Sequence, residues 1–483
     1  MRLRRTAAAA LASLALTGST GATDAGVPPT AGPPGGPTAP TSPFTLEAAI
    51  EFALQNAPAA KVALERREAA HSAVALARTE YLPRLDLLWQ SNVATRNNTA
   101  GLLLPQSVVP PVSGPVRTET DGESAWGTAG GALLSWEPFD FGARRAAVLA
   151  TTAGESRAAA EESLSRLDVA AAAAEAFLAL LVAQEKVTAG QADVDRREIL
   201  ARSVRALADS QLRPGADVSR AEAELAGARI LLIRSREQER RARSALATAM
   251  GVAGADLTIA AGPLLGPAPD PEGAVAAAPP DHPLAAAGQA RADEAEARAR
   301  SAGRSYAPRF NLEASWSSRR SGVGPDGSID PGRDGLGPER DNWAVGLTLS
   351  FPLLDVAADH ARHGIEAANG RAETARFEET VQTLTGLREE ARAGLESARA
   401  VAENTPPELA AAQAGEAQTR ARYDAGLGTI TDVADAQRLL VQAEIDDAVA
   451  RISVWRALLE LDDAQGDLGP FLAALHDRAG GER

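Results

Sequence analysis

Three landmarks occur twice along the chain, in the same order each time. Tyr81-Leu82-Pro83-Arg84 returns as Tyr306-Ala307-Pro308-Arg309. Ser135-Trp136-Glu137-Pro138-Phe139-Asp140 returns as Ser350-Phe351-Pro352-Leu353-Leu354-Asp355, and Asp217-Val218 with Ala221 returns as Asp432-Val433 with Ala436. The second and third pairs share one offset, so only the segment between the first and second landmarks has changed length, as a surface loop allows. The chain therefore reads as two copies of one pattern, repeat 1 over 44–280 and repeat 2 over 281–470, with a flexible tail at 471–483.

Each copy opens with a helix, Thr45 to Thr79 in the first and His282 to Gly303 in the second. Thr45-Leu46-Glu47 before an apolar-periodic run marks a helix start with Thr45 as N-cap. Two short alternating segments follow, at ~82–95 and ~126–138, then at ~308–318 and ~342–354. Leu85, Leu87, Trp89 and Val93 share one face, while Asp86, Gln90 and Asn92 share the other. Phe310, Leu312, Ala314 and Trp316 alternate with Asn311, Glu313, Ser315 and Ser317. Trp343, Val345, Leu347, Leu349 and Phe351 alternate with small or polar residues. In 126–136 the alternation is blurred by glycines and by Leu133. Period two means strand, and these lengths match the roughly 9–11 residues of a membrane strand. Trp89, Trp126, Trp136, Trp316 and Trp343 are placed as an aromatic girdle requires. A soluble sheet packed on one face would alternate in the same way. However, four strands cannot close, and nothing else in the chain resembles a partner layer. Closure by oligomerisation, as a dimer of eight strands or a trimer of twelve, is the expected solution.

The rest of each copy is helical: ~142–210 and ~216–250, then ~356–424 and ~430–466. No proline interrupts Phe139 to Arg213, a span that could reach on the order of 100 Å as a helix. A rod that long needs an apolar stripe against neighbours, and its many alanines permit close, coiled-coil packing. Pro406-Pro407 is expected to break the equivalent rod in repeat 2, where repeat 1 has Gln191-Ala192.

The N-terminus carries Arg2, Arg4 and Arg5, an apolar run from Ala7 to Leu16, then small residues. That is a signal peptide over 1–25 with cleavage near 22–25, followed by a Pro/Gly linker over 26–43. No later uninterrupted apolar run reaches the ~18 residues of a spanning helix, so an exported chain of this kind is either soluble or a β-barrel. The formal charge of −15 argues against nucleic acid as a partner. There is no cysteine, which excludes disulfides, thiolate metal sites and lipid attachment through an N-terminal cysteine. His360 and His363 stand at helical spacing without further ligands, so no metal site is expected. With no phosphate loop or nucleophile elbow, neither catalytic residues nor cofactors are expected.

Several phrases together resemble the TolC family of outer-membrane efflux proteins over roughly residues 44–470. They are F-T-L-E-A-A-I-E-F-A-L-Q-N-A-P at 44–58, the two Y-x-P-R phrases, S-W-E-P-F-D-F-G at 135–142, S-F-P-L-L-D at 350–355, and R-Y-D-A-G-L-G-T-I-T-D-V-A-D-A-Q at 422–437. The resemblance implies a mainly α protein with membrane β. In a homotrimer, four strands per protomer would make a twelve-stranded barrel in the outer membrane, above a long periplasmic barrel of coiled-coil helices. It implies a passive channel for drugs, metals, solvents or polypeptides. The partners would be a periplasmic adaptor, an inner-membrane pump of resistance-nodulation-division or ABC type (the latter in type I secretion), and outer-membrane lipids. A soluble periplasmic coiled-coil adaptor or scaffold is the alternative.

Two tight breaks separate the long helices, Leu212-Arg213-Pro214-Gly215 and Gly426-Leu427-Gly428-Thr429; Gly and Pro fit a backbone reversal there. In the family these are periplasmic tips where an adaptor docks. Asp432 and Asp435, three apart, share a helix face near its N-terminus. Capping and solvation account for them as well as function does. The resemblance makes them aperture-lining carboxylates, a ring that favours cations in a trimer. It makes Asp217 their first-copy counterpart and Tyr423 a residue that holds the tip closed. The family can carry a basic residue where this chain has Gly428, and Gln211 replaces the glycine matched by Gly426, which leaves part of the closing network unassigned.

Overall fold

The computed structural model of the protein describes residues 42–95, 103–109, 123–211, 213–266, 281–323, 328, 335–351 and 353–481. The expected signal peptide and nearly all of the linker lie outside these residues, as does Leu212.

Repeat 1 runs α1 (Leu46–Asn56), α2 (Pro58–Thr79), β1 (Arg84–Thr95), β2 (Ser124–Phe139), α3 (Ala143–Asp209) and α4 (Gly215–Ala249). Repeat 2 runs α5 (Pro283–Ala302), β3 (Arg309–Ser321), β4 (Arg340–Ser350), α6 (Val356–Asp424) and α7 (Ile430–Gln465), and α8 (Gly469–Gly481) follows. Thr45 caps α1, its hydroxyl accepting the Ala48 amide at 3.2 Å. The opening helix is nevertheless two helices, not one from Thr45 to Thr79. Ala57 is extended, with ψ 129°, and Pro58 opens α2. A proline disfavours helix in the residue before it and starts a new helix well.

Two further expectations are corrected. Pro406 and Pro407 lie inside a continuous α6. Each removes one donor from the helix ladder, but nearby bonds hold the segment. The Asn404 amide donates to the Ala400 carbonyl at 2.7 Å, and the buried Thr405 hydroxyl donates to Asp447 of α7 at 3.3 Å. The tail is not loose either: most of 471–483 is helix α8. Phe471 and Leu475, one turn apart, are buried, and the Phe471 ring meets Trp455 edge-on at 6.1 Å.

The long helices form two hairpins, α3 with α4 and α6 with α7. Helices α2 and α5 both pack along α3, and α5 also packs on α6. Their main core lies midway along the hairpins and gathers α1, α3, α4, α7, α8 and the 3-10 turn Gly262–Leu265 around Phe177, Leu181, Met250, Trp455 and Phe471. Part of α3 has the length and composition to cross a membrane. Its apolar residues Val169 to Leu181 instead furnish this core. A second, smaller core joins both hairpins near their tips: Leu200, Val204, Ala221, Tyr423, Ile430 and Val433.

The strands make one antiparallel sheet in chain order, β1-β2-β3-β4, leaving β1 and β4 as its edges. The register slips between Trp136 and Phe139. The bulge holds Pro138, which cannot donate to a ladder and belongs at such a site.

Candidate functional site: the ribbon and the tip

Register fixes which side chains share a sheet face, because directly paired residues point the same way. Leu85 pairs with Leu134, Leu87 with Ala132 and Trp89 with Gly130. Across β3 and β4, Ala132 pairs with Trp316, Trp316 with Trp343, and Leu312 with Leu347. The sheet's five tryptophans, Trp89, Trp126, Trp136, Trp316 and Trp343, fall on this one face, and all are exposed. Leu87 is 73% exposed and Leu347 65%, on a sheet face that no other described residues cover as a layer. Gly130 makes room for Trp89, since a Cβ there would sit 2.9 Å from its ring. Trp126 and Trp136 stand ten positions apart in β2. At ~3.3 Å per residue and a tilt near 40°, they stand about 25 Å apart along the normal, the height of a membrane apolar band.

The opposite face carries Asp86, Gln90, Asn311, Glu313 and Ser315. It is also where Leu88 and Leu133 interrupt the alternation. Residues 103–109 lie on it, with Leu103, Val108 and Val109 buried against Ala129, Leu88 and Leu133. The Gln90 amide donates to the Leu104 carbonyl at 3.3 Å, and the Gln106 side chain accepts the amides of Val108 and Val109.

Where the sheet meets the helices, Tyr81 acts as a clamp. Its carbonyl accepts the Trp136 indole N–H at 3.1 Å, and the Arg144 guanidinium lies 4.9 Å above its ring. Arg144 also donates to Asp140 at 2.9 Å and to the Glu80 carbonyl at 2.9 Å. Burial alone would raise the Asp140 pKa; the backbone and side chain of Arg144 and the Gly142 amide hold it below the ordinary value. The second copy lacks this clamp, because Asp359 stands where repeat 1 has Arg144 and pairs with Arg362.

At the tip, the structure brings some candidates together and separates others. Tyr423 is fully buried, and the Arg213 guanidinium stacks 4.4 Å over its ring while donating to its carbonyl. Burial, then the Asp217 charge, push the Tyr423 pKa up; Arg213 opposes them. The hydroxyl itself makes no hydrogen bond of normal geometry. Pro214 is the extended residue at the N-cap of α4, and Gly215 is its first residue. Gly426 takes φ 78°, and its counterpart Gln211 takes φ 57°, a left-handed conformation uncommon for a residue with a Cβ. The same turn is thus made twice, once without glycine. Leu427 is exposed, its amide bonded back to the Arg422 carbonyl at 2.8 Å; Gly428 packs against Tyr423 and Arg422.

Asp432 and Asp435 lie elsewhere, on the open side of α7. They line a groove of about 480 Å³ with Ala411, Ala412, Gly415 and Glu416 of α6. Asp432 forms a capping box with Thr429, accepting its backbone N–H at 2.9 Å and its hydroxyl at 2.8 Å. Those two bonds hold its pKa below the ordinary value. Asp435 is paired with Arg438, which also reaches Glu224 of α4 at 3.8 Å. Glu224 accepts from Arg197 at 2.8 Å, and Arg197 is buried on Asp193 at 2.9 Å. The sequence reading missed this ladder; its only trace there was the i,i+4 spacing of Asp193 and Arg197. It also missed Gln437, one turn beyond Val433 on α7, which is fully buried with neither its oxygen nor its nitrogen hydrogen-bonded.

The sequence model described as "outer membrane efflux protein" matches residues 49–252 and 280–467. Solved structures share the fold. The Campylobacter jejuni CmeC outer membrane channel is 15% identical, with a TM-score of 0.70 over 90% of this chain and 89% of that one. The outer membrane protein VceC from Vibrio cholerae is 20% identical, with a TM-score of 0.67 over 87% and 96%. The open state of the Neisseria gonorrhoeae MtrE outer membrane channel is 19% identical, with a TM-score of 0.68 over 87% and 89%. No curated protein matches in sequence. A bare amphipathic ribbon on paired helical rods thus defines an outer-membrane channel subunit. The chain belongs to the outer membrane efflux protein family, residing in the outer membrane and extending into the periplasm; a soluble adaptor or scaffold is not favoured.

Proposed function

We propose that three copies close their ribbons edge to edge, β4 of one on β1 of the next, into a twelve-stranded barrel. The observation that carries this is a four-stranded sheet with two long unpaired edges and one bare apolar face. Such edges invite pairing, and in lipid only a closed barrel satisfies them. The tryptophan-bearing face then meets lipid, and the face with Asp86, Gln90 and Glu313 lines the conduit. The helical hairpins continue the conduit through the periplasm to the two tips.

The channel is passive, doing no bond chemistry and drawing its energy from an inner-membrane pump of resistance-nodulation-division or ABC type. The tips Arg213-Pro214-Gly215 and Gly426-Leu427-Gly428 receive a periplasmic adaptor. The groove between α6 and α7, floored by Ala411, Ala412 and Gly415, is smooth enough for a helix to lie close. Asp432 and Asp435, tripled by symmetry, ring the aperture with carboxylates, while Tyr423 and Asp217 hold the tips. Opening is a shift of the tip helices biased by the adaptor.

Two measurements test the assignment. Purified protein should run as a heat-modifiable trimer in detergent; a soluble monomer refutes closure. In planar bilayers, replacing Asp432 and Asp435 together by Asn should raise conductance and weaken cation selectivity. The asparagine at 432 keeps an oxygen for Thr429, so the cap survives while the charge goes. Unchanged conductance and selectivity would remove the gate from this face of α7.

A further inference from the structure

One row of paired residues crosses the whole sheet on the face opposite its tryptophans. Gln90 pairs with Ala129, Ala129 with Arg319, and Arg319 with Arg340. The row lies toward the end of the sheet away from the helices, about 8 Å along the membrane normal inside the level of Trp126. Its two halves differ. Over β1 and β2 it is covered: Ala129 is fully buried under Leu103, Val108 and Val109, and the Gln90 amide donates to the Leu104 carbonyl at 3.3 Å, while the Leu104 side chain stays exposed. Over β3 and β4 it is open and basic, with Arg340 exposed and Arg319 half-buried. Like charges directly opposite each other cost a sheet stability. Among the described residues, neither guanidinium is paired with a carboxylate. Asp341 alternates onto the tryptophan face, and Glu339 pairs with Arg320 of that face at 3.4 Å. The next acid down β3 on the polar face is Glu313, roughly 20 Å along the strand, well past the ~8 Å over which physiological salt screens a charge.

We propose that this row is an anion-selecting collar near the outer mouth of the conduit. Residues 103–109 narrow the lumen, and the paired guanidiniums of three copies draw carboxylate-, phosphate- or sulfonate-bearing solutes through what remains. This rests on the channel reading above and deepens it by naming the solute class that the outer end favours. With β4 of one protomer on β1 of the next, the open basic half of each row is followed by the covered half of its neighbour. Because barrel strands tilt, each row climbs roughly 9 Å across a protomer, so the three make a collar and not a flat ring. Arginine rings favour anions in pores, and a guanidinium meets a carboxylate or phosphate through two parallel hydrogen bonds. An anion held between Arg319 and Arg340 relieves their mutual repulsion. The collar is opposite in sign to the carboxylates of the tip.

The chain has no cysteine, so a single introduced thiol reports the local potential. Full-length trimers carrying Leu104→Cys, in planar bilayers, are reacted with methanethiosulfonates bearing either a sulfonate or a trimethylammonium group, each rate being divided by that for free mercaptoethanol. The sulfonate should be favoured roughly tenfold, the lower end of what a focused field does to local ion concentration, and modification should lower the conductance in steps. Adding Arg319→Gln and Arg340→Gln should bring the ratio close to one and shift the reversal potential in a KCl gradient toward potassium. A normalised ratio of one or below with both arginines present, or a ratio that the two substitutions leave unchanged, overturns the anion claim. A thiol at 104 that does not react, or that reacts without lowering conductance, overturns the narrowing. The glutamines remove a like-charge contact, so heat-modifiable trimers should persist; if the combined variant does not assemble, Arg340→Gln alone must lower the ratio part-way. Failure of the channel reading looks different: the sheet tryptophans of the wild-type protein in liposomes would then escape fluorescence quenching by brominated lipid, whatever the thiol does.

Discussion

The equatorial core and the tip core are made by the same two helical hairpins, yet they are filled differently. The equatorial core gathers 33 buried apolar residues, among them Trp455, Phe177 and Phe471. The tip core has six, and its largest member, Tyr423, carries a buried hydroxyl, with Gln437 one turn away. The equatorial core has its own unpaired group, the Trp455 indole nitrogen, but that one cost is spread over a far larger apolar cluster. Local opening follows such differences, since segments with little buried apolar surface open at low free energy. By that principle the larger core is the costlier of the two to open and the tip core the cheaper.

The strongest way to break the comparison is to empty the anchor. Trp455→Ala removes a fully buried indole from the centre of the equatorial core, at a cost of about 3–5 kcal/mol. Loss of α8 docking and of heat-resistant assembly should follow. If thermal unfolding followed by circular dichroism moves no further for Trp455→Ala than for Val433→Ala at the tip, the two cores are not different in kind.

A second test asks whether either core matters before the ribbon is seated. Leu87→Arg or Leu347→Arg places a charge on the bare sheet face, costing about 2–4 kcal/mol near mid-bilayer. Assembly into liposomes should fail while the helices still fold. Normal assembly of both variants would contradict the lipid-facing assignment.

How much of this could be read from the sequence depends on range. The four strands and the long helices are written in local periodicity, so they were legible. Leu133 looked like noise because its partners, Leu103, Val108 and Val109, come from a loop whose placement no periodicity encodes. Pro406-Pro407 read as a break because the bond that anchors Thr405 comes from Asp447, on another helix. At the tip, the residues were legible and their partners were not. Arg213 was visible as part of a turn, but its partner Tyr423 is 210 residues away. Asp432 and Asp435 read as a pair on one face, and the structure shows each already engaged, by Thr429 and by Arg438.

The anchor also titrates. Asp462 is buried beside α8, and burial pushes its pKa up to about 6, with the Phe471 amide opposing and Asp467 adding to the rise. Burial likewise raises Asp168 and Asp463, with His282 opposing both. A carboxyl whose folded pKa exceeds its unfolded value, about 4, binds its proton more tightly in the folded state. Its stabilising contribution is therefore full below pH 4 and is lost as pH rises through 6. The equatorial core should loosen by on the order of 2 kcal/mol between those limits, as read by Trp455 fluorescence during denaturant unfolding. Asp462→Asn keeps an oxygen for the Phe471 amide and loses the charge, so it should raise stability at pH 7 and flatten the dependence. A steeper dependence in that variant would place the titrating group elsewhere.

The smallest effect sharpens the comparison at the tip. Gln211 holds φ 57° where its counterpart Gly426 holds φ 78°. A left-handed conformation costs a residue with a Cβ roughly 1–2 kcal/mol, which Gln211→Gly removes. Glycine also frees the unfolded chain, taking back roughly 0.4–1 kcal/mol. The first term is the larger, so the turn should gain between nothing and roughly 1.6 kcal/mol. Global unfolding will not register this, because the tip opens locally before the equatorial core does. Hydrogen exchange at Ala206 to Ser210 should slow several-fold in the variant, while exchange in α8 stays the same. Equal slowing at both sites would mean that the tip and the anchor open together, and the division between a fixed core and a movable one would not hold.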